Sequence, residues 1–149
     1  EQVITLSILT KKTFIIAAER FFMSDLSSAL DLTTSGLRAQ AERLRHLSEN
    51  IANADTPGYR RKTVSFHSIA SDNGMVEAGP VRLGQGPLRD IFDPHHPLAD
   101  DTGHYSGSNV NLLVEITDAR EAQRSYEANL KMFDQTRQMS SALMDLLRK

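Results

Sequence analysis

Residues 109–149 read NVNLLVEITDAREAQRSYEANLKMFDQTRQMSSALMDLLRK, and this stretch decides the fold class. It contains no Pro and no Gly, and Leu112, Ile116, Ala119, Ala122, Tyr126, Leu130, Phe133, Thr136, Ser140, Leu143 and Leu147 recur every three or four residues. Their mean interval is about 3.5, the coiled-coil period rather than the 3.6 of a straight helix. A helix of about 40 residues would be about 60 Å long, several times the usual globular length of about 11–12 residues. Leu113, Val114, Met132, Met139, Met144 and Leu146 lie off the stripe and require further partners. Ser108 and Asn109 are expected to cap the start.

A second amphipathic helix is expected near the other end. From Asp25 to about Asn53 there is no Pro, and Leu30, Leu37, Leu44 and Ile51 recur every seven residues. Leu26, Ala41 and Leu47 widen that stripe, while Arg38, Glu42, Arg45 and Glu49 fall elsewhere. Asn50 and Asn53 tolerate left-handed backbone, and Thr56-Pro57-Gly58-Tyr59 places Pro and Gly where a type II turn needs them. Two such stripes imply helices that form a coiled-coil unit and then pack against other chains.

Between the helices the composition changes. All five prolines and seven of the eight glycines lie from Pro57 to Gly107. The alternation in Lys62–His67 and, more briefly, in Val81–Leu83 predicts short strands, with turns at Asn73-Gly74 and Gly79-Pro80. Residues 84–107 carry no pattern that names an element. The organisation is therefore an upstream segment 1–22, an N-terminal helix 23–56, a Pro/Gly-rich β-containing middle arm 57–108 and a C-terminal coiled-coil helix 109–149. The fold class is mainly α. Met23 has the look of a start, and residues 1–22 make a poor signal peptide, because Glu19-Arg20 interrupts a short apolar run.

Composition narrows the function classes. The chain has 149 residues, a formal charge of −2, no Cys and no Trp. Without a basic excess there is no footprint for nucleic acid. No apolar run reaches the 18 residues of a membrane span, so no membrane insertion is expected. No disulfide, thiolate zinc site or Cys nucleophile is available.

Several local patterns have chemical readings, and each has a simpler one. Asp101-Thr102-Gly103 matches the aspartic protease tripeptide, but that chemistry needs two carboxylates sharing a proton, and one copy occurs. Asp93, His95, His96, Asp100, Asp101 and His104 are metal-ligand types, yet adjacent His95 and His96 point apart in a strand, and Pro94 and Pro97 prevent a helix that would align them. A solvated loop is the reading adopted, with no metal, no cofactor and no small-molecule substrate. Arg60-Arg61-Lys62 is read as a solvated basic face. No nucleophile elbow occurs, and no enzyme is indicated. The alternative from another class is a small metal-binding or enzymatic module centred on residues 93–104.

Two motifs carry a family resemblance. Ala52-Asn53-Ala54-Asp55-Thr56-Pro57-Gly58-Tyr59 resembles the ANxxTPGY signature of the flagellar axial rod and hook proteins, including its place after an N-terminal helix. Ala122–Asn129, AQRSYEAN, resembles the C-terminal helix of the same family, as does Asn109-Val110-Asn111 at its start. The resemblance covers Met23–Lys149. The short chain, the RSYEAN form and Asp93–Ala99 are most similar to the short proximal rod members, with FlgB the alternative among them.

The resemblance implies a structural subunit that polymerises through its terminal helices into the proximal rod and transmits torque. It implies a place in the basal body, in the periplasm after flagellar type III export. Implied partners are copies of itself, FlgB, FlgF, FliE and the export apparatus. Implied motif residues are Asn50, Ala52, Asn53, Thr56, Pro57, Gly58, Tyr59, Arg124, Tyr126 and Asn129, with Tyr59 packing on the helices. The helix-packing interface is expected at Leu30, Leu37, Leu44, Ile51, Leu112, Ile116, Ala119, Tyr126, Leu130, Phe133, Leu143 and Leu147.

Overall fold

In the computed structural model, the described backbone covers residues 2–69 and 74–147, and the described side chains cover 20–69 and 74–146. The order is α1 (Gln2–Ala52), β1 (Lys62–Thr63), β2 (Phe66–Ser68), β3 (Val76–Ala78), β4 (Arg82–Leu83), β5 (Asp90–Phe92), β6 (His104–Ser106) and α2 (Leu112–Leu147). The first helix departs from the expected bounds of 23–56. It begins at Gln2 because residues 1–22 contain neither Pro nor Gly, so propensity offers no break there. It ends at Ala52, before the turn motif. The second helix begins at Leu112 rather than 109, and its cap is Asn111, whose Oδ1 accepts from the backbone N–H groups of Leu113 at 3.1 Å and Val114 at 3.4 Å.

The helices lie antiparallel in one register. Gly36 is level with Asn129, Arg43 Nη2 reaches Glu121 Oε2 at 3.9 Å, and Asn50 Nδ2 donates to Glu115 Oε2 at 2.9 Å. Gly36 permits the close approach: a Cβ there would stand 3.0 Å from Asn129 Nδ2. The line of α2 that faces α1 is Glu115, Ala122, Asn129 and Thr136, seven residues apart. Ala122 and Glu115 are fully buried and Thr136 nearly so.

The two leucine-rich stripes therefore do not meet head on. Leu30, Leu37, Leu44 and Ile51 are half-buried, as are Ile116, Ala119, Tyr126, Phe133 and Leu143, while Leu112 and Leu130 remain 46% and 41% exposed. Leu147 lies outside the described side chains. On α1 the buried positions are Leu26, Ala39, His46, Leu47 and Asn50, while Gly36 lets the helix axes approach opposite Asn129, so the Leu30-Leu37-Leu44-Ile51 stripe lies to one side of the seam.

The arm is two antiparallel hairpins. In the first, Lys62 pairs with Leu83 and Thr63 with Arg82, then Phe66 with Ala78 and Ser68 with Val76. It rests on α1, where Ser35 Oγ accepts from the Val76 N–H at 3.1 Å. The second hairpin, Asp90 to Ser106, falls in the stretch that showed no pattern, because three-residue strands offer too little alternation to read.

Candidate functional site

The densest polar structure sits where the end of α1, the start of α2 and the first strand converge. It is built from the turn motif upward. Asn53 closes α1 with its N–H and its Nδ2 both donating to the Glu49 carbonyl, at 3.1 and 2.8 Å. Gly58 takes φ +71°, the left-handed backbone a type II turn needs at its third position, and the Tyr59 N–H donates to the Thr56 carbonyl at 3.2 Å. The turn sends the chain back along α1, so Lys62 passes alongside Asn50.

Asn50, fully buried, uses its whole hydrogen-bonding capacity. Its Nδ2 donates to the Lys62 carbonyl at 2.8 Å and to Glu115 Oε2 at 2.9 Å. Its Oδ1 accepts from the Lys62 N–H at 2.8 Å and from the Tyr59 hydroxyl at 3.1 Å. One side chain thereby imitates a strand neighbour for Lys62 while tying α1 to α2. Tyr59 is half-buried over the site, and burial pushes its phenol above the ordinary range.

Glu115 carries a fully buried carboxylate, and a buried charge is tolerable only when paired. Arg61 supplies the pair: its Nε donates to Glu115 Oε1, and its Nη2 reaches Asp118 Oδ2 at 3.1 Å. Lys62 Nζ binds Glu49 Oε2 at 3.0 Å, which holds the Glu49 carboxyl below its usual value, with buried His46 as the second cause. Arg60 Nη1 donates to the carbonyls of Gly84 at 3.1 Å and Gly86 at 3.3 Å. The Arg60-Arg61-Lys62 cluster is thus not the solvated face expected of it. The acidic partners lie about 50 residues downstream or on α1, and only the fold brings them within reach.

Three further residues complete the joint: Ser108 and Asn109, expected from the sequence as helix caps, and Arg89, which the sequence did not single out. Asn109 Oδ1 accepts from the Arg61 N–H at 2.7 Å, while its Nδ2 donates to Gly84 and Gly86 carbonyls at 3.2 and 3.3 Å. Arg89 gathers the carbonyls of Ser108, Ala54 and Val110 at 3.1, 3.3 and 3.1 Å. Buried Ser108 accepts from the Val110 N–H at 3.0 Å. The spacing of Glu115, Ala122, Asn129 and Thr136 was the one available signal that a polar line faces α1.

Among the motif residues, Ala52, Thr56 and Pro57 lie at the exposed or half-buried rim of the joint. Arg124 and Tyr126 sit farther along α2, and Asn129 contacts Gly36. The structure thus gathers Asn50 to Tyr59 with Asn109 to Asp118, and leaves Arg124 outside.

The loop 93–104 is organised by its own turns. Asp100 Oδ1 accepts from the Thr102 N–H at 2.8 Å, the Thr102 hydroxyl at 2.6 Å and the His104 N–H at 3.1 Å, and the Thr102 hydroxyl leads the causes that lower its carboxyl pKa. His96 stacks on Tyr105 with centroids 4.0 Å apart. Among the described residues no three His, Cys, Asp or Glu side chains are placed to hold a metal ion. No helix, over the same residues, is long and apolar enough to cross a membrane.

Residues 30–60 match the family described as flagella basal body rod protein, and residues 101–146 match the flagellar basal body rod FlgEFG protein C-terminal family. The chain is 45% identical to the flagellar basal-body rod protein FlgC of Agrobacterium fabrum, over 85% of this chain and 98% of that one. It is 32% identical to FlgC of Salmonella typhimurium, over 76% and 92%. The figures for FlgC of Aquifex aeolicus are 32%, 78% and 93%.

Proposed function

The chain belongs to the flagellar basal-body rod protein family as a FlgC-like structural subunit of the basal body, and from that premise we propose that it polymerises through its paired terminal helices into the proximal rod, which transmits torque. The observation that carries this reading is the flank of the helix pair. Leu30, Leu37, Leu44 and Ile51 stay only half-buried beside the seam that buries Leu26 and Leu47, so the chain's own fold leaves this stripe incompletely covered. A coiled-coil period continued between chains covers them.

The family's other properties follow as part of the proposal. The chain reaches the periplasm by flagellar type III export and contacts copies of itself, FlgB, FlgF, FliE and the export apparatus. The Asn50–Tyr59 joint serves assembly indirectly, by fixing the angle at which the arm leaves the helices. It offers neither a nucleophile nor a general base placed for catalysis, and the proposed role is structural.

Leu44→Asp tests the reading. A charge placed in the stripe costs several kcal/mol when neighbours cover it, about 3 or more. The expected result is a chain that is still exported but missing from purified basal bodies, with loss of motility. Normal motility with normal incorporation would sink the claim that this stripe mediates polymerisation.

A further inference from the structure

Each hairpin of the arm has one strand edge that its own chain closes and one that it leaves open. In an antiparallel pair, successive residues point their backbone N–H and C=O groups alternately into the pair and out of it. The Gly84 N–H donates to the Arg61 carbonyl at 2.7 Å, so Lys62 on β1 and Leu83 on β4 point theirs outward. The Asn50 side chain meets both outward groups of Lys62, which closes β1. The Leu83 carbonyl meets only Gln85 Nε2, at 3.3 Å, on the surface. In the second hairpin the Asp93 N–H donates to the Gly103 carbonyl at 2.9 Å and the Gly107 N–H to the Arg89 carbonyl at 2.7 Å, so Asp90 and Phe92 on β5 point outward. β6 is closed, because the Ser106 carbonyl accepts from the Gly58 N–H at 3.0 Å and the His104 carbonyl from the Asp100 N–H at 2.8 Å. Among the described residues, no backbone group of Asp90 or Phe92 finds a partner outside its own hairpin.

The two open edges carry opposite charge beside bare apolar side chains. From Ala78 to Arg89 there is no Asp or Glu, and exposed Arg82 stands between Val81 and Leu83, which are 43% and 50% exposed. From Asp90 to Ser106 there are four Asp and no Lys or Arg, and Phe92 is 65% exposed. Neither Arg82 nor Asp90 nor Asp93 enters an ion pair among the described residues. Asp93 Oδ1 accepts from the His95 N–H at 3.1 Å, which leaves Oδ2 for another donor.

We propose that β4 of one copy pairs antiparallel with β5 of a second copy, Leu83 opposite Phe92 and Arg82 opposite Asp93. In this register Leu83 and Phe92 exchange backbone hydrogen bonds, as do Gln85 and Asp90, and the Gln85 side chain gives up the Leu83 carbonyl. Directly opposed residues share a face, so Leu83 covers Phe92 on one side of the ribbon and Arg82 meets Asp93 on the other. The ladder stops at Pro94, which has no N–H to offer Val81. One register thus serves backbone, apolar side chains and charge together. Two β4 edges do not fit each other, since that would set Arg82 beside Arg82, and two β5 edges would set Asp beside Asp. Every copy offers one edge of each kind, so the contact is heterologous and passes from copy to copy. The inference rests on the rod-subunit reading and adds to it a contact outside the helices.

Cross-linking and charge reversal test it in basal bodies. Since the chain has no cysteine, Leu83→Cys with Phe92→Cys and a short thiol cross-linker is expected to yield a ladder of multiples of this chain, and either substitution alone only monomer. Arg82→Glu sets two carboxylates together and is expected to lower the amount of chain in purified basal bodies about tenfold, while Arg82→Lys stays within about twofold of wild type. Circular dichroism checks that the purified variants fold, and if Arg82→Glu does not, the cross-link decides. Monomer alone from the double variant, multiples from either single variant, cross-links only to a different rod protein, normal incorporation of Arg82→Glu, or an equal loss with Arg82→Lys would each overturn the pairing. Those results leave rod membership standing. Absence of the wild-type chain from basal bodies would overturn the rod reading itself.

Discussion

The two ends of the helix pair are built on opposite plans. At the joint, Asn50, Glu115, Arg61 and Tyr59 satisfy one another in a buried network, and the chain needs nothing from outside to hold its bend. Toward the far end, Phe21 and Phe22 on α1 are 69% and 59% exposed, and the Met132-Met139-Leu146 row on α2 is bare. The contrast teaches where independence stops. Polar groups must find partners within the chain because burying them alone is costly, whereas an apolar face can wait for a neighbour.

Breaking the joint should have the largest effect on the isolated chain. Glu115→Leu leaves Arg61 and the Asn50 amide without their buried acceptor, and the expected loss is about 3 kcal/mol in urea unfolding. A loss below about 0.5 kcal/mol would mean that the network contributes little beyond geometry.

A smaller effect concerns acidity at the same end. Lys62 and then His46 hold the Glu49 carboxyl below its ordinary value of 4.5, so folding favours its ionised form. That contribution is complete above pH 4.5 and drains away as pH falls through the lowered value. Lys62 is the mirror case, raised first by Glu49, and its share is complete below pH 10.5 and lost as pH rises past the raised value. Glu49→Gln is expected to flatten the acid limb of a stability-versus-pH curve and to shift the midpoint only slightly, since both side chains are about a third exposed. An unchanged acid limb would remove Glu49 from the account.

The far end should show the smallest effect on stability and a large one on assembly. Met132→Ser with Met139→Ser is expected to change unfolding of the isolated chain by less than about 0.5 kcal/mol, because both side chains already face water. Incorporation into basal bodies is expected to fall. A large loss of stability in the isolated chain would show that these residues serve the monomer, and would erase the contrast between the two ends.

Much of this architecture was legible in advance, and the residues show why. The Pro-free and Gly-free run from Asn109, the heptad of Leu30, Leu37, Leu44 and Ile51, and the turn at Thr56–Tyr59 all depend on local rules of helix period and backbone freedom. Those rules act over a few residues, so they can be read without knowing what lies across the fold. The Asn50–Tyr59 motif and the AQRSYEAN segment carried the family in the same local way. By contrast, the second hairpin, the Asn111 cap and the extension of α1 to Gln2 were not legible, since each depended on weak or ambiguous local signals.

The tertiary structure alone decided which face of each helix is inside. Period marks the leucine stripes, but the seam buries Leu26, Ala39, Leu47 and Ala122 and leaves Leu30, Leu37, Leu44 and Ile51 half-covered, with Gly36 allowing the close approach to Asn129. It also decided the fate of the charges. Arg61 reads in sequence as one of three exposed bases, and only the return of the chain past Asn50 puts it on buried Glu115. Helical period is a property of neighbouring residues, whereas the pairing of a buried charge belongs to residues far apart in the chain, and only folding brings them together.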